Sequence, residues 1–459
     1  MVAQVIHDPP GLSTDAKRSM RALFNVAVHK NWWIRTLDVK SAFLHSKNIG
    51  RVIYIKPPKE VRKKGKLWLL KKPVYGLKDA SRQWYHTLLE ELLRLGCLQS
   101  RLDKAAFTWI NNGISTGVNQ IHVDDMVYAG NKEFIDHVIG GVKNTFEISK
   151  EGSGTFSYVG VEIEQETTSE IKLSQKRYIA EIEEPDFEKG GRDKSEDLTN
   201  VEITHFRRLV GRLMWVATQT RPDILYAVLL SSTRNKKPTV GDMVHVVKLL
   251  HHLKVTELVI SIRIQRLGNM LGDTIAIYCF TDARYGITQD KTGSIGGHVV
   301  LLGDGSAKCS ILSWHCAKIR RVCTSAMDAE AFALMEGLKE AIYLRRIISE
   351  MIYGKEDELQ LWIHAYTDNL SLYKSIMSDT QSKDVHNRTN IAWLQERSME
   401  DMVRVSWVRS DQQMADALTR ENSSVRDMLV DAMQGELHMD TNLPGFEYKG
   451  DLDDDICID

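Results

Sequence analysis

A mixed α/β fold in consecutive parts is what this sequence predicts, and three observations predict it. Apolar runs end in carboxylates at widely separated places: Trp32 to Leu37 leads into Asp38, and Ile275 to Phe280 leads into Thr281-Asp282. Apolar residues recur at helical spacing between such runs, as at Trp84, Leu88, Leu92 and Leu95. The polar stretch 183–200, with Gly190 and Gly191, and a second boundary near Gly268 to Asp273 punctuate the chain. The parts expected are 1–182, 183–272 (mainly helical), 273–435 and an acidic tail over 436–459.

Each element has its own signal. Residues 13–31 predict a helix, with Ser13 or Thr14 as N-cap and Met20, Leu23, Phe24, Ala27 and Val28 on its apolar side. The strand to Asp38 follows. Ile53-Tyr54-Ile55, stopped by Pro57-Pro58, and Leu67 to Leu70 read as short strands. Ser81 to Leu95 reads as a helix that Gly96 stops. His122-Val123-Asp124-Asp125, between apolar flanks, predicts a β-hairpin with the acids at its tight turn. A helix carrying Phe134, Val138 and Val142 comes next, then a strand from Phe156 to Ile163. Helices are expected over 206–218, over 222–232 with Pro222 as first residue, and over 241–253.

Ile275 to Phe280 is apolar on both faces, which places it at the centre of a sheet. The later helix has Leu334, Leu338, Ala341, Leu344 and Ile348 as its buried stripe. Glu330, four residues before Leu334, shares that inward face near the helix start. A strand over 359–367 ends in Asp368-Asn369, and Ser410 or Asp411 caps a short helix carrying Asp416.

Composition excludes several classes. Hydrophobic content is 43% and charged content 26%, the balance of a folded soluble protein. No apolar run reaches the roughly 18 residues of a membrane span, and Met1 to Pro10 lacks a signal-peptide pattern. The six cysteines form no C-x-x-C pair, so neither a zinc site nor a disulfide framework is expected. A net charge of −1 does not advertise nucleic-acid binding. Its distribution is uneven: Lys56, Lys59, Arg62, Lys63, Lys64, Lys66, Lys71 and Lys72 form one basic stretch, which alone reads as a solvated face.

The acids carry the chemistry. Neighbouring carboxylates repel and are costly to hold together without a cation. A hard divalent ion takes oxygen ligands and removes that cost. Asp38, Asp124 and Asp125 form one candidate metal group. Asp282, Glu330, Asp368 and Asp416 form a second. Either could hold a metal pair for in-line phosphoryl transfer. Singly, Asp368 reads as a turn, Glu330 as a partner of the helix dipole and Asp416 as surface; their order and element types together make the case.

These residues resemble a known family. Thr36-Leu37-Asp38-Val39-Lys40-Ser41-Ala42-Phe43-Leu44 resembles the first catalytic motif of copia-type retrotransposon reverse transcriptases, and Leu70 to Trp84 resembles their next block. His122-Val123-Asp124-Asp125 stands where the family has Tyr-Val-Asp-Asp. Phe206 to Asp223 resembles the connecting segment. Tyr278 to Ala283, Ile311 to Trp314, Ala329-Glu330, Thr367-Asp368-Asn369 and Ala415 to Arg420 resemble the RNase H region. The resemblance covers about residues 20 to 420, in the family's order.

The resemblance implies the α+β palm of a right-hand polymerase, a helical connection and an RNase H-like α/β domain. It implies that Asp38, Asp124 and Asp125 ligate Mg²⁺, with Mn²⁺ as the alternative, for nucleotidyl transfer. It implies that Asp282, Glu330, Asp368 and Asp416 hold the metals that cleave RNA in an RNA–DNA hybrid, with His386 as an assisting group. Phe43 would be an aromatic gate against a ribose 2′-hydroxyl, its plainer reading being a core residue. Gly76, Lys78 and Arg82 fall with Phe43 in the nucleotide- or template-binding set. The expected partners are an RNA template, a DNA primer, RNA–DNA hybrid and deoxynucleoside triphosphates, with no membrane. The expected location is intracellular, in a cytoplasmic particle or the nucleus.

Three departures qualify this. His122 replaces the Tyr and adds a titrating ring. Only 37 residues precede Asp38, so the expectation is truncated fingers. No capsid, protease or integrase pattern is present, which reads as the C-terminal portion of an element. Two alternatives therefore stand beside the polymerase: a remnant keeping only RNase H activity, and a catalytically silent nucleic-acid binder using the 56–72 stretch with Trp68 and Trp84 exposed.

Overall fold

The computed structural model describes residues 16–46, 49, 51–61, 65–268, 275–286, 293–378, 387–399, 402–421 and 424–439. Ser13, Thr14, Arg62 to Lys64, the boundary at 269–274, His386 and the tail from 440 lie outside them. Two compact units emerge: 1–159 with 346–358, and 160–345 with 359–459.

The first unit is built on a six-stranded antiparallel sheet. Its elements run α1 (Ala16–His29), β1 (Ile34–Val39), α2 (Ala42–His45), β2 (Tyr54–Ile55), β3 (Trp68–Leu69), α3 (Ala80–Arg94), β4 (Leu98–Gln99), β5 (Ala106–Asn111), β6 (Ile114–His122) and β7 (Asp125–Gly130). Then come α4 (Lys132–Phe134), a π-helical turn (Ile135–Ile139), α5 (Gly140–Thr145), β8 (Ile148–Ser153) and β9 (Thr155–Tyr158). Strand order is β4-β5-β6-β7-β1-β8, with β2 and β3 forming a separate ribbon. The apolar stripe of α3 buries Trp84, Leu88 and Leu92 in a core shared with Leu37, Tyr128 and Phe134.

Asn131 caps the helical segment by accepting from the Phe134 N–H at 2.9 Å. The Phe134 ring then fills the gap left by Gly117 and Gly130, which face each other across β6 and β7. A Cβ on Gly117 would fall 2.0 Å from that ring.

In the second unit β10 (Val161–Thr167) and β11 (Glu170–Ser174) precede α6 (Lys176–Ala180), α7 (Asn200–Gln219), α8 (Leu225–Thr233), α9 (Val240–Thr256) and β12 (Ile262–Gln265), which pairs antiparallel with β11. Capping boxes start α7 (Thr199 with Glu202) and α9 (Thr239 with Asp242). Between α7 and α8 a 3₁₀ turn, Pro222–Ile224, is locked by a fully buried Arg221–Asp223 pair at 2.8 Å. Burial opposes that carboxylate's charge, but the bidentate guanidinium, with His252 and Arg426, holds its pKa well below the usual range.

The remainder comprises β13 (Ala276–Arg284), β14 (Ile295–Gly303), β15 (Cys309–Lys318), α10 (Ala326–Tyr353), β16 (Trp362–Thr367), α11 (Leu370–Met377), α12 (Arg388–Met399), β17 (Val403–Trp407), two 3₁₀ turns (Ser410–Gln412 and Met414–Leu418) and α13 (Arg426–Met433). Sheet order is β15-β14-β13-β16-β17. The first three strands are antiparallel, and β13, β16 and β17 are parallel. The run apolar on both faces is indeed the central strand, buried at Ile277, Cys279 and Phe280.

Several expectations need correction. The strand expected over 156–163 is two strands, because Val159 and Gly160 both take positive φ and break the ladder. Helix α7 begins at Asn200, six residues early, since the Thr199 capping box ends the polar stretch. The helix after Asn131 contains a π turn. Trp84 is fully buried and offers no exposed ring, whereas Trp68 is exposed. Neither Ser410 nor Asp411 caps the turn carrying Asp416; the Gln413 side chain does, accepting from Ala415 N–H.

Candidate metal centres

The β1–β7 register places the first group. Asp38 is the register partner of Asp125, and Asp124 sits in the β6–β7 turn between His122 and Asp125. Val123 beside it has φ 58°, a conformation a β-branched residue adopts only when its surroundings hold it. Trp84 Nε1 donates to the Val123 carbonyl at 2.5 Å, and the Val39 N–H donates to the Asp124 carbonyl at 3.1 Å. The apolar stripe of α3 thus also clamps the turn.

The carboxylates themselves are half-buried. The Ser149 hydroxyl donates to Asp38 Oδ2 at 2.5 Å, and the Tyr75 hydroxyl donates to Asp124 Oδ2 at 3.1 Å. Burial, then the charges of Asp124 and Asp38, push the Asp125 carboxyl up to about 6, against the pull of Lys150. Phe43 is buried, with its ring centroid 4.4 Å from that of Tyr75. Gly76 has φ +97° with open space around it, and Lys78 and Arg82 are exposed.

The second group is drier. Asp282 lies on β13 and is fully buried; Glu330, in the first turns of α10, and Asp416 are also buried, while Asp368 follows β16. Oxygens of Asp282, Glu330 and Asp368 lie within 4.8 Å of one another. Among the described residues this is the group of three acids that gathers so closely. Asp416 is outside it, paired with Arg420 at 2.7 Å.

Hydroxyls again hold two of the acids, Asp282 within β13 and Asp368 just after β16. Thr419 Oγ1 donates to Asp282 Oδ2, and Ser410 Oγ donates to Asp368 Oδ2 at 2.7 Å. Asp282 Oδ1 and Glu330 Oε2 are buried without a hydrogen-bond partner. Burial first, then Asp368, raise Asp282 to about 7, with the Thr419 hydrogen bond opposing. Burial, Asp282 and Asp368 push Glu330 well above the carboxylate range. Buried, unpartnered carboxyl oxygens facing one another are the donor set of a hard divalent cation.

Of the sequence candidates, the fold brings together Asp38, Asp124 and Asp125, and separately Asp282, Glu330 and Asp368. Tyr75, Ser149, Ser410 and Thr419 were not among the candidates. Tyr75 and Thr419 lie inside the motif blocks quoted above, where a hydroxyl close in sequence to a candidate was the available signal. Ser149 has no sequence signal, because the pairing of β8 with β1 delivers it.

Residues 14–191 match the family described as reverse transcriptase (RNA-dependent DNA polymerase). The chain is 26% identical over 424 residues to the retrovirus-related Pol polyprotein from transposon RE1 of Arabidopsis thaliana, covering 88% of this chain and 27% of that polyprotein. It is also 26% identical to the corresponding polyprotein from transposon TNT 1-94 of Nicotiana tabacum, over 88% of this chain and 31% of that one. The chain thus spans under a third of these relatives. Among solved structures, the N-terminal RNase H domain of rv2228c from Mycobacterium tuberculosis is similar at 17% identity and TM-score 0.25, over 35% of this chain and 96% of that one. The foamy viral protease-reverse transcriptase in complex with dsDNA is similar at 11% identity and TM-score 0.21, over 83% and 71%. Residues 14–191 thus match the reverse transcriptase family, within a chain similar over 88% of its length to Pol polyproteins of transposons.

Proposed function

We propose that the chain is an RNA-directed DNA polymerase carrying a ribonuclease that cleaves the RNA strand of an RNA–DNA hybrid. The carrying observation is that two acid groups, each scattered in sequence, are each assembled on a sheet by register and packing. In the proposed division, the six-stranded sheet is the palm, the helices from 183 to 272 are the connection, and the β13–β17 sheet with its helices is the RNase H-like domain.

Asp38, Asp124 and Asp125 would hold Mg²⁺ or Mn²⁺ at one site, and Asp282, Glu330 and Asp368, with Asp416 close by, at the other. Divalent cations so held stabilise phosphate charge and make an attacking hydroxyl or water more acidic. Ser149 and Tyr75 orient the palm carboxylates; Thr419 and Ser410 orient the other pair. The Phe43 ring is the wall that discriminates deoxyribose from ribose. Exposed Lys78 and Arg82 are suited to phosphate contacts. The substrates are an RNA template, a DNA primer, deoxynucleoside triphosphates and the resulting hybrid. The site of action is intracellular, in a cytoplasmic particle or the nucleus.

Primer extension on an RNA template with Mg²⁺ tests the first activity: product is expected from the parent chain and none from Asp124→Asn. Hybrid cleavage tests the second. Cleavage unchanged by Glu330→Gln would remove the assignment of that site. One observation favours a narrower reading, RNase H activity alone: only the second group draws three carboxylates within 4.8 Å among the described residues. Hybrid cleavage without primer extension is its signature.

A further inference from the structure

We infer that Tyr75 is a positioning residue that ties the sugar-discriminating wall of the polymerase site to one of its metal-binding carboxylates; the inference rests on the polymerase reading above. Tyr75 makes two contacts of different kind. Its hydroxyl donates to Asp124 Oδ2 at 3.1 Å, and its ring packs against that of Phe43, tilted by 46° with the centroids 4.4 Å apart. Tyr75 is 56% exposed, so core packing does not explain its place. The next residue, Gly76, takes φ +97°, a backbone conformation that a side chain disfavours and that sets the direction from which Tyr75 enters.

Three separate chain elements meet at this ring. Phe43 belongs to α2, Asp124 to the β6–β7 turn, and Tyr75 to the loop before α3. The hydroxyl fixes one oxygen of a half-buried carboxylate, which narrows the orientations it offers a cation. The ring limits how far Phe43 can swing toward or away from a bound sugar. The two effects separate by substitution, because Phe keeps the ring and loses the donor.

Manganese binding reads the first effect. In a Glu330→Gln, Asp368→Asn background, which silences the other acid group, Tyr75→Phe is expected to weaken Mn²⁺ binding by about tenfold. Nucleotide binding reads the second, measured on an RNA template with a dideoxy-terminated DNA primer so that no turnover is required. Tyr75→Phe is expected to keep the parent's preference for deoxy- over ribonucleotide, and Tyr75→Leu to lower it by about tenfold. A purely structural role would shift the melting temperature and move both readouts together in both variants.

Unchanged Mn²⁺ affinity in Tyr75→Phe overturns the inference. So does a sugar preference that Tyr75→Leu leaves intact. If the parent chain binds no deoxynucleotide on the terminated primer, the polymerase reading fails, while the Mn²⁺ titration still decides whether Tyr75 positions Asp124.

Discussion

Asp125 and Asp282 hold corresponding places in their two units, each on a strand next to other acids, yet one is half-exposed and the other is wholly buried. Burial pushes the first carboxyl to about 6 and the second to about 7. The first group sits at the turn of a hairpin, with Tyr75 and Ser149 reaching it from a loop and an edge strand. The second group sits between the centre of a sheet and a long helix, and leaves Asp282 Oδ1 and Glu330 Oε2 without partners. The contrast teaches that similar acid sets can be held at different cost. An exposed set leaves water to solvate its charge, whereas a buried set depends on a cation or on protons.

The sharpest break of this comparison is to disable one site and read the other. Glu330→Gln should lower hybrid cleavage by about a thousandfold while primer extension stays within about twofold, and Asp124→Asn should do the reverse. Steady-state assays of both reactions on the same preparations check it. If either variant abolishes both activities, the two acid groups do not act independently.

The hydroxyls offer a finer contrast. Thr419→Val should cost hybrid cleavage about ten- to a hundredfold, because the buried Asp282 loses its donor. Ser149→Ala should cost primer extension less, about threefold, since water can replace a hydroxyl at a half-exposed carboxylate. Equal losses would erase the distinction between a dry and a wet site.

Protons and cations should compete at the two sites to different degrees. In the metal-free protein the folded pKa values of Asp125 and Asp282 lie above the ordinary 3.8, so protonation favours the folded state. That stabilisation is complete below the unfolded value. It is lost as pH rises through about 6 for Asp125 and about 7 for Asp282. Scanning calorimetry should therefore show Mg²⁺ raising the melting temperature more at about pH 8 than at about pH 5. Asp282→Asn should remove more of that gain than Asp125→Asn does. The smallest effect is on packing alone: Gly117→Ala crowds the Phe134 ring and should destabilise the first unit by about 1–3 kcal/mol, read by denaturant unfolding.

Strand and helix periods were largely legible because they are local. The two-sided apolar run at 275–280 placed β13 at a sheet centre, and the Asp-Asp pair between apolar flanks gave the β6–β7 hairpin. Boundaries were less legible where a short-range cap decided them, as at Thr199, or where two positive φ angles broke a strand, as at Val159-Gly160. Trp84 was misplaced for a related reason. Its ring fits a helical stripe equally well as core or as surface, and only its bond to the Val123 carbonyl shows which.

Residue type, order and spacing alone determined which acids were candidates, and on which kinds of element they fall. Tertiary structure alone decided which acids meet, how dry each group is, and which hydroxyls hold it. Asp38 faces Asp125 through strand register, and Glu330 approaches Asp282 through the packing of α10 on the sheet. The reason is physical: carboxylate chemistry is carried by each residue, but desolvation and mutual repulsion depend on distances of a few ångströms that only the folded chain sets.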